Sequence, residues 1–180
     1  MKLEKLLFAI AAGVAAAKLT EQQQETIAET VEKKLIDELS IIDDVSLLVN
    51  SDLPRGIRNN NPGNIRYDGT NWQGLDNPPS DGTFCRFVDV KYGIRAMARI
   101  LTNYQKRGIV SVRDIISTWA PATENNTSSY IMHVASKLDL LIDAPVPSYK
   151  WPALIDAIIQ HENGQQPYTM AQIQTGIALA

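Results

Sequence analysis

RGIRNNNPGNIRYDGTNWQGL, residues 55–75, holds five asparagines and four glycines around a single proline. Asparagine and glycine tolerate positive φ and proline fixes its own φ, so residues 59–64 are expected to form a folded loop rather than a helix or a central strand. Arg55, Arg58, Arg66 and Arg86 flank or follow the stretch, which suits a shaped surface that holds something polar and extended. Taken alone, the stretch can also be read as a tight connection in a loop-rich region.

Outward from this loop, charge and composition divide the chain. Residues 1–51 carry 5 Lys and Arg against 9 Asp and Glu, whereas residues 52–180 carry 12 against 11. All three tryptophans and all nine prolines fall in the second part, as expected of a packed domain with defined turns. The formal net charge of −3 leaves no broad basic footprint, which argues against a nucleic-acid partner. In the first part, residues 6–17 (LLFAIAAGVAAA) are an apolar run too short to cross a bilayer, which takes about 20 residues. With Lys2 and Lys5 before it and Ala15 to Ala17 at its end, the run reads as a secretory signal, as a retained membrane-associating or assembly helix, or as an ordinary packed helix. Thr20 can cap a following helix to Leu39, on which Ile27, Val31, Leu35 and Leu39 make a narrow apolar stripe suited to a partner helix.

From Asp52 onward the punctuation is that of a mainly helical domain. DNPPSDG, residues 76–82, reads as a turn, and TFCRFV, residues 83–88, as a short strand, so a small β element is expected around residues 64–88. Asp89 caps a helix whose Ile94, Met97, Ala98, Leu101 and Tyr104 share a face, with Gly108 at its end. Ser111 and Asp114 open a second helix that Pro121 stops. Thr127 is the expected cap of a third, with Tyr130, Ile131, Val134 and Leu138 inward. Pro152 starts a fourth, PALIDAIIQHEN, closed by Gly164, and Thr169 caps a last one. The fold class is thus α+β, mainly α: a domain at 52–180 with a small β element, preceded by a helical arm at 1–51.

The domain contains two glutamates, Glu124 and Glu162. Glu162 ends a strongly apolar helix, where burial and the negative end of the helix dipole both raise a carboxyl pKa and fit it for general acid work. An ordinary surface glutamate in a helix C-cap is the alternative. Cys85, the single cysteine, could pair with His133 or His161 as a thiol nucleophile, but its place between two phenylalanines favours a core role. His161-Glu162 lacks the second histidine of H-E-x-x-H, which excludes a zincin. No metal or cofactor is expected.

NPGNIR (61–66), NWQGL (71–75), TFCRF (83–87) and GIRAMARIL (93–101) resemble, in order and spacing, the glucosaminidases of the flagellar and autolysin type. Residues 54–180 also look like small phage virion proteins that open on RGIRNNNPGNI. Both resemblances imply a lysozyme-like domain acting on the glycan strands of peptidoglycan, as a muramidase or lytic transglycosylase, in the virion or the host periplasm. The glucosaminidases carry their catalytic glutamate upstream of the asparagine segment; here Glu38, Asp43 and Asp44 occupy that region without the family's Glu-Ser-Gly signature. LIDAIIQHENG (154–164) resembles the missing helix, so a circular permutation that puts Glu162 in the catalytic place is the expectation. In such a cleft Asn61 and Asn64 would bind acetamido and hydroxyl groups, and Tyr67 or Trp72 would face a sugar ring. Asp68, Asp76 and Asp81 are candidates for a second carboxylate. The arm would dock to a membrane, through residues 6–17, or to virion subunits. A structural phage protein that kept the fold without the reaction is the competing reading.

Overall fold

The computed structural model describes residues 27–39, 52–121 and 126–180, and the chain divides into two units, Met1–Ser51 and Asp52–Ala180. The apolar run at 6–17, the expected cap Thr20, Asp43, Asp44 and Glu124 lie outside the described residues. In the first unit, residues 27–39 are helical. Their apolar stripe is open to solvent, with Ile27 45%, Leu35 47% and Leu39 54% exposed. No helix among the described residues is long and apolar enough to cross a membrane.

The second unit is mainly α with one small antiparallel sheet. Pro54 opens a short helix α1 (Arg55–Arg58), its carbonyl accepting from the amides of Ile57 and Arg58 at 3.0 and 3.1 Å. The asparagine loop follows, and two of its residues adopt the left-handed conformation read from the sequence, Asn60 at φ 50° and Asn64 at φ 48°. Strand β1 (Leu75–Ser80) pairs with β2 (Cys85–Phe87), Leu75 opposite Phe87 and Ser80 opposite Cys85 with a register shift between them. The DNPPSDG run was expected as a turn, yet most of it is strand. A two-stranded sheet has only edges, and an edge does not need the amide hydrogens that Pro78 and Pro79 lack. The loop is stitched onto the other side of β2, where Phe87 N donates to Asn59 O and Cys85 N to Ile65 O, both at 2.9 Å.

Five helices complete the domain. Helix α2 (Val90–Lys106) is capped by Asp89, whose Oδ1 accepts from Lys91 N at 2.9 Å, and Gly108 at φ 76° follows its end. It buries Ile94, Met97, Ala98 and Leu101 and leaves Tyr104 half-buried, the face expected from its periodicity. Ser111 caps α3 (Val112–Trp119). The cap of α4 (Thr127–Leu138) is Asn126, whose side chain accepts from Ser129 N, in place of the expected Thr127. Thr127 is buried and its hydroxyl donates to Ala120 O at 2.9 Å. A 3-10 turn (Ser148–Lys150) leads into α5 (Trp151–Asn163), and Thr169 with Gln172 forms a capping box on α6 (Met170–Ala178). Helix α5 is the axis of the core: Leu154, Ile155, Ala157, Ile158 and Ile159 are fully buried, and it packs on α1, α2, α4 and α6. Each of those large aliphatic side chains contributes about 2 kcal/mol of transfer free energy.

Candidate functional site

The axial helix α5 carries its apolar run to the point where Gly164, at φ 67°, ends it. Asn163 in the last turn faces inward, its Nδ2 donating to Ile159 O at 2.9 Å and to Pro62 O at 2.8 Å. That side chain ties the asparagine loop to the helix end. Glu162 is thereby set beside the loop: Asn64 Nδ2 donates to its Oε2 at 3.1 Å. From α4, the hydroxyl of Tyr130 donates to Oε1 at 3.2 Å, and the indole of Trp119, the last residue of α3, lies near enough to favour the charged carboxylate. Tyr130 is itself buried and stacks on His161, ring centroids 3.5 Å apart and planes 12° from parallel. Three helices and one loop thus converge on a single carboxyl group.

Burial pushes the Glu162 carboxyl above its ordinary range, against the opposing hydrogen bonds from Asn64 and Tyr130 and the nearby Trp119 indole. Desolvation dominates, as expected where a charge loses more water than its partners replace. The same burial, with the adjacent Glu162 charge, holds Tyr130 in its phenol form far into alkaline pH, so this hydroxyl acts as a donor. Glu162 lies in a cleft of about 520 Å³ whose other walls include Gly63, Asn64, Arg66, Phe84, Tyr104 and Trp119. A Cβ on Gly63 would come within 2.8 Å of the Trp119 ring, so glycine there lets the loop lie directly on the indole. The cleft combines flat aromatic faces, an amide and one carboxyl of raised pKa, which are the elements for holding a sugar chain and giving a proton to a leaving oxygen.

The structure separates the residues that the sequence reading grouped. Glu162 and Asn64 are together in the cleft. Asn61 is fully buried, with Nδ2 donating to Ile65 O and Cys85 O at 2.9 and 3.0 Å and Oδ1 accepting from Ile65 N at 3.0 Å. The expectation that Asn61 binds a glycan is therefore corrected: its amide is consumed in joining the loop to β2. Tyr67 is exposed and is not among the residues lining this cleft, and Trp72 lines a different cavity with Arg95 and Arg99. The three aspartates proposed as a second carboxylate serve local structure instead. Asp81 binds Arg55 through two bonds, at 2.6 and 2.8 Å, and also accepts from Asn59. Asp76 pairs with Arg86 at 2.8 Å, and Asp68 accepts from Thr70 N at 3.0 Å. Cys85 is buried and its thiol is pushed up to about 11, chiefly by that burial, which leaves it no thiolate for nucleophilic work. Sequence reasoning assigned Tyr130 to a core face by periodicity, missed its polar end, and gave Trp119 no part in the site. The available signal was chemical: a buried indole N–H or phenol O–H needs a partner.

No protein-family model matches the chain. In sequence, the chain is similar to a bacteriophage protein. It is 43% identical over 126 residues to Protein P5 of Pseudoalteromonas phage PM2, a match covering 68% of this chain and 79% of that protein. The chain belongs to the family of that phage protein.

Proposed function

We propose that the domain is lysozyme-like and cleaves the glycan strands of peptidoglycan, as a virion-associated protein used in phage entry, with Glu162 as the general acid. The observation that carries this reading is the glutamate itself, desolvated, of raised pKa, and set in an aromatic-walled cleft by partners from two helices and the asparagine loop. Kinship with a phage protein supports the virion setting. Among the described residues lining the cleft, Glu162 is the one carboxylate. That favours a lytic transglycosylase, in which the substrate's own hydroxyl displaces the leaving group, or a hydrolase aided by the substrate acetamido group. The full chain incubated with purified sacculi should release fragments. Anhydro ends identify the transglycosylase, reducing ends the hydrolase, and no release overturns the proposal. One observation favours the structural alternative: both oxygens of Glu162 are already engaged, by Asn64 and Tyr130, as a purely architectural carboxylate would be.

Tyr130→Phe separates these readings through pH. The substitution keeps the buried ring and removes a hydrogen bond that favours the ionised carboxylate, so the Glu162 pKa rises further. A reaction that needs protonated Glu162 then keeps its rate to higher pH. The alkaline limb of the pH profile for sacculus solubilisation is expected to move upward; an unmoved limb would mean that Glu162 is not the titrating acid.

A further inference from the structure

The cavity that holds Trp72 lies apart from the Glu162 cleft and shares no lining residue with it. It measures about 590 Å³ and is bounded by residues 70–75 on one side and by Arg95 and Arg99 of α2 on the other. Its loop wall is fixed. Gly74 sits at φ 79°, where a Cβ would fall 2.2 Å from the Tyr92 ring of α2, and its carbonyl accepts from Val88 N at 3.0 Å. Trp72, half-buried, packs one part of its ring on the core. Facing it, Arg95 and Arg99 stand one helical turn apart, an arrangement in which like charges repel. Among the described residues neither forms an ion pair with an Asp or Glu side chain. Arg95 Nε donates to Leu179 O at 2.9 Å and Arg99 Nη1 to Ala180 O at 3.3 Å, so Arg95 is held by a carbonyl just past the end of α6 and Arg99 by an oxygen of the Ala180 α-carboxylate, while most of the five donors of each remain for another acceptor.

We propose that this cavity is a second binding site, which takes a sugar bearing an oxyanion: the ring against Trp72, the carboxylate or phosphate on Arg95 and Arg99, and hydroxyl or amide groups on Asn71 and Gln73. An indole face, paired guanidinium groups and side-chain amides are the complement of such a ligand. A neutral sugar leaves most of the paired guanidinium donors without an anionic acceptor, and a bare anion leaves the indole uncovered. The site would hold an anionic cell-wall glycan independently of chemistry at Glu162, so its test does not require that the protein be an enzyme.

The experiment is titration of the full chain, carrying Glu162→Gln to prevent turnover, with four probes: N-acetylmuramic acid, N-acetylglucosamine 6-phosphate, N-acetylglucosamine and inorganic phosphate. One or both of the charged sugars should bind at least about tenfold more tightly than the neutral sugar and the bare phosphate. Preference for the carboxylated sugar identifies the glycan strand itself as the source, and preference for the phosphorylated one identifies a phosphate-bearing envelope polymer. The doubly substituted Arg95→Gln, Arg99→Gln chain should lose that preference, whereas Trp119→Phe in the other cleft should keep it. Raising ionic strength from 0.05 to 0.5 M should also weaken the charged sugars alone, a readout that needs no variant at the arginines. Equal affinity for charged and neutral sugars, or a preference that survives removal of both guanidinium groups, overturns the proposal.

Discussion

Glu162→Gln is expected to lower the rate of glycan-strand cleavage by about 10² to 10⁴-fold while leaving the fold intact, because an amide cannot give up a proton to the leaving oxygen. That loss corresponds to roughly 3 to 5 kcal/mol of barrier. The same substitution has a stability signature of opposite sign. Burial raises the carboxyl pKa in the folded domain, so between the unfolded and folded pKa values the native state holds the extra proton, and stability falls as pH rises through that window. At neutral pH the ionised group is a cost that glutamine removes, with relief from the negative helix end adding to it. Thermal melts should therefore show Glu162→Gln at least as stable as wild type at pH 7, with the difference closing below about pH 4, where both chains are neutral at this position. Full cleavage by the variant would remove Glu162 from the chemistry. A variant that is inactive and also unfolded would show that the carboxylate is needed for architecture.

How far the domain was legible in its sequence depended on whether a feature was local. Helix ends were, because Asp89, Ser111, Thr169 and Gly164 each act on backbone within one turn of themselves. The left-handed turns of the asparagine loop were, for the same reason. Apolar periodicity gave the buried faces of α2, α4 and α5. It also hid the role of Tyr130, because a periodic pattern reports that a residue points inward and says nothing of the partner its polar end meets. That partner, Glu162, lies 32 residues from Tyr130, and Asn64 lies 98 residues from it. Likewise, Trp72 was grouped with the asparagines by proximity in the chain, whereas the turn at Gly74 carries it to the Arg95 and Arg99 side of α2. The strand at Leu75–Ser80 was obscured by two prolines, whose meaning depends on whether the strand has an edge to spare.

Asn61→Ala should act on stability rather than on ligand affinity, and its effect should be among the largest of any polar substitution in the domain. The side chain closes a ring between the loop and β2: it accepts from Ile65 N and donates to Ile65 O and Cys85 O. After truncation Ile65 O still receives Cys85 N at 2.9 Å, but the Ile65 amide and the Cys85 carbonyl lose the partner that Asn61 supplied in a water-poor setting. A buried polar group left unmatched costs about 1 to 3 kcal/mol, and the space vacated by the amide adds a cavity term. The expected loss is about 3 to 5 kcal/mol, or roughly 10 °C or more in melting temperature for a domain of this size. Asn64 provides the contrast, since it occupies the left-handed region and its amide faces Glu162 in the cleft. Asn64→Gly keeps that backbone conformation and should cost under about 1 kcal/mol, while changing the pH dependence of the cleft. Circular dichroism melts of the two variants decide the assignment. An Asn61→Ala chain that melts like wild type but binds glycan more weakly would return Asn61 to the ligand surface and displace the role given to it here.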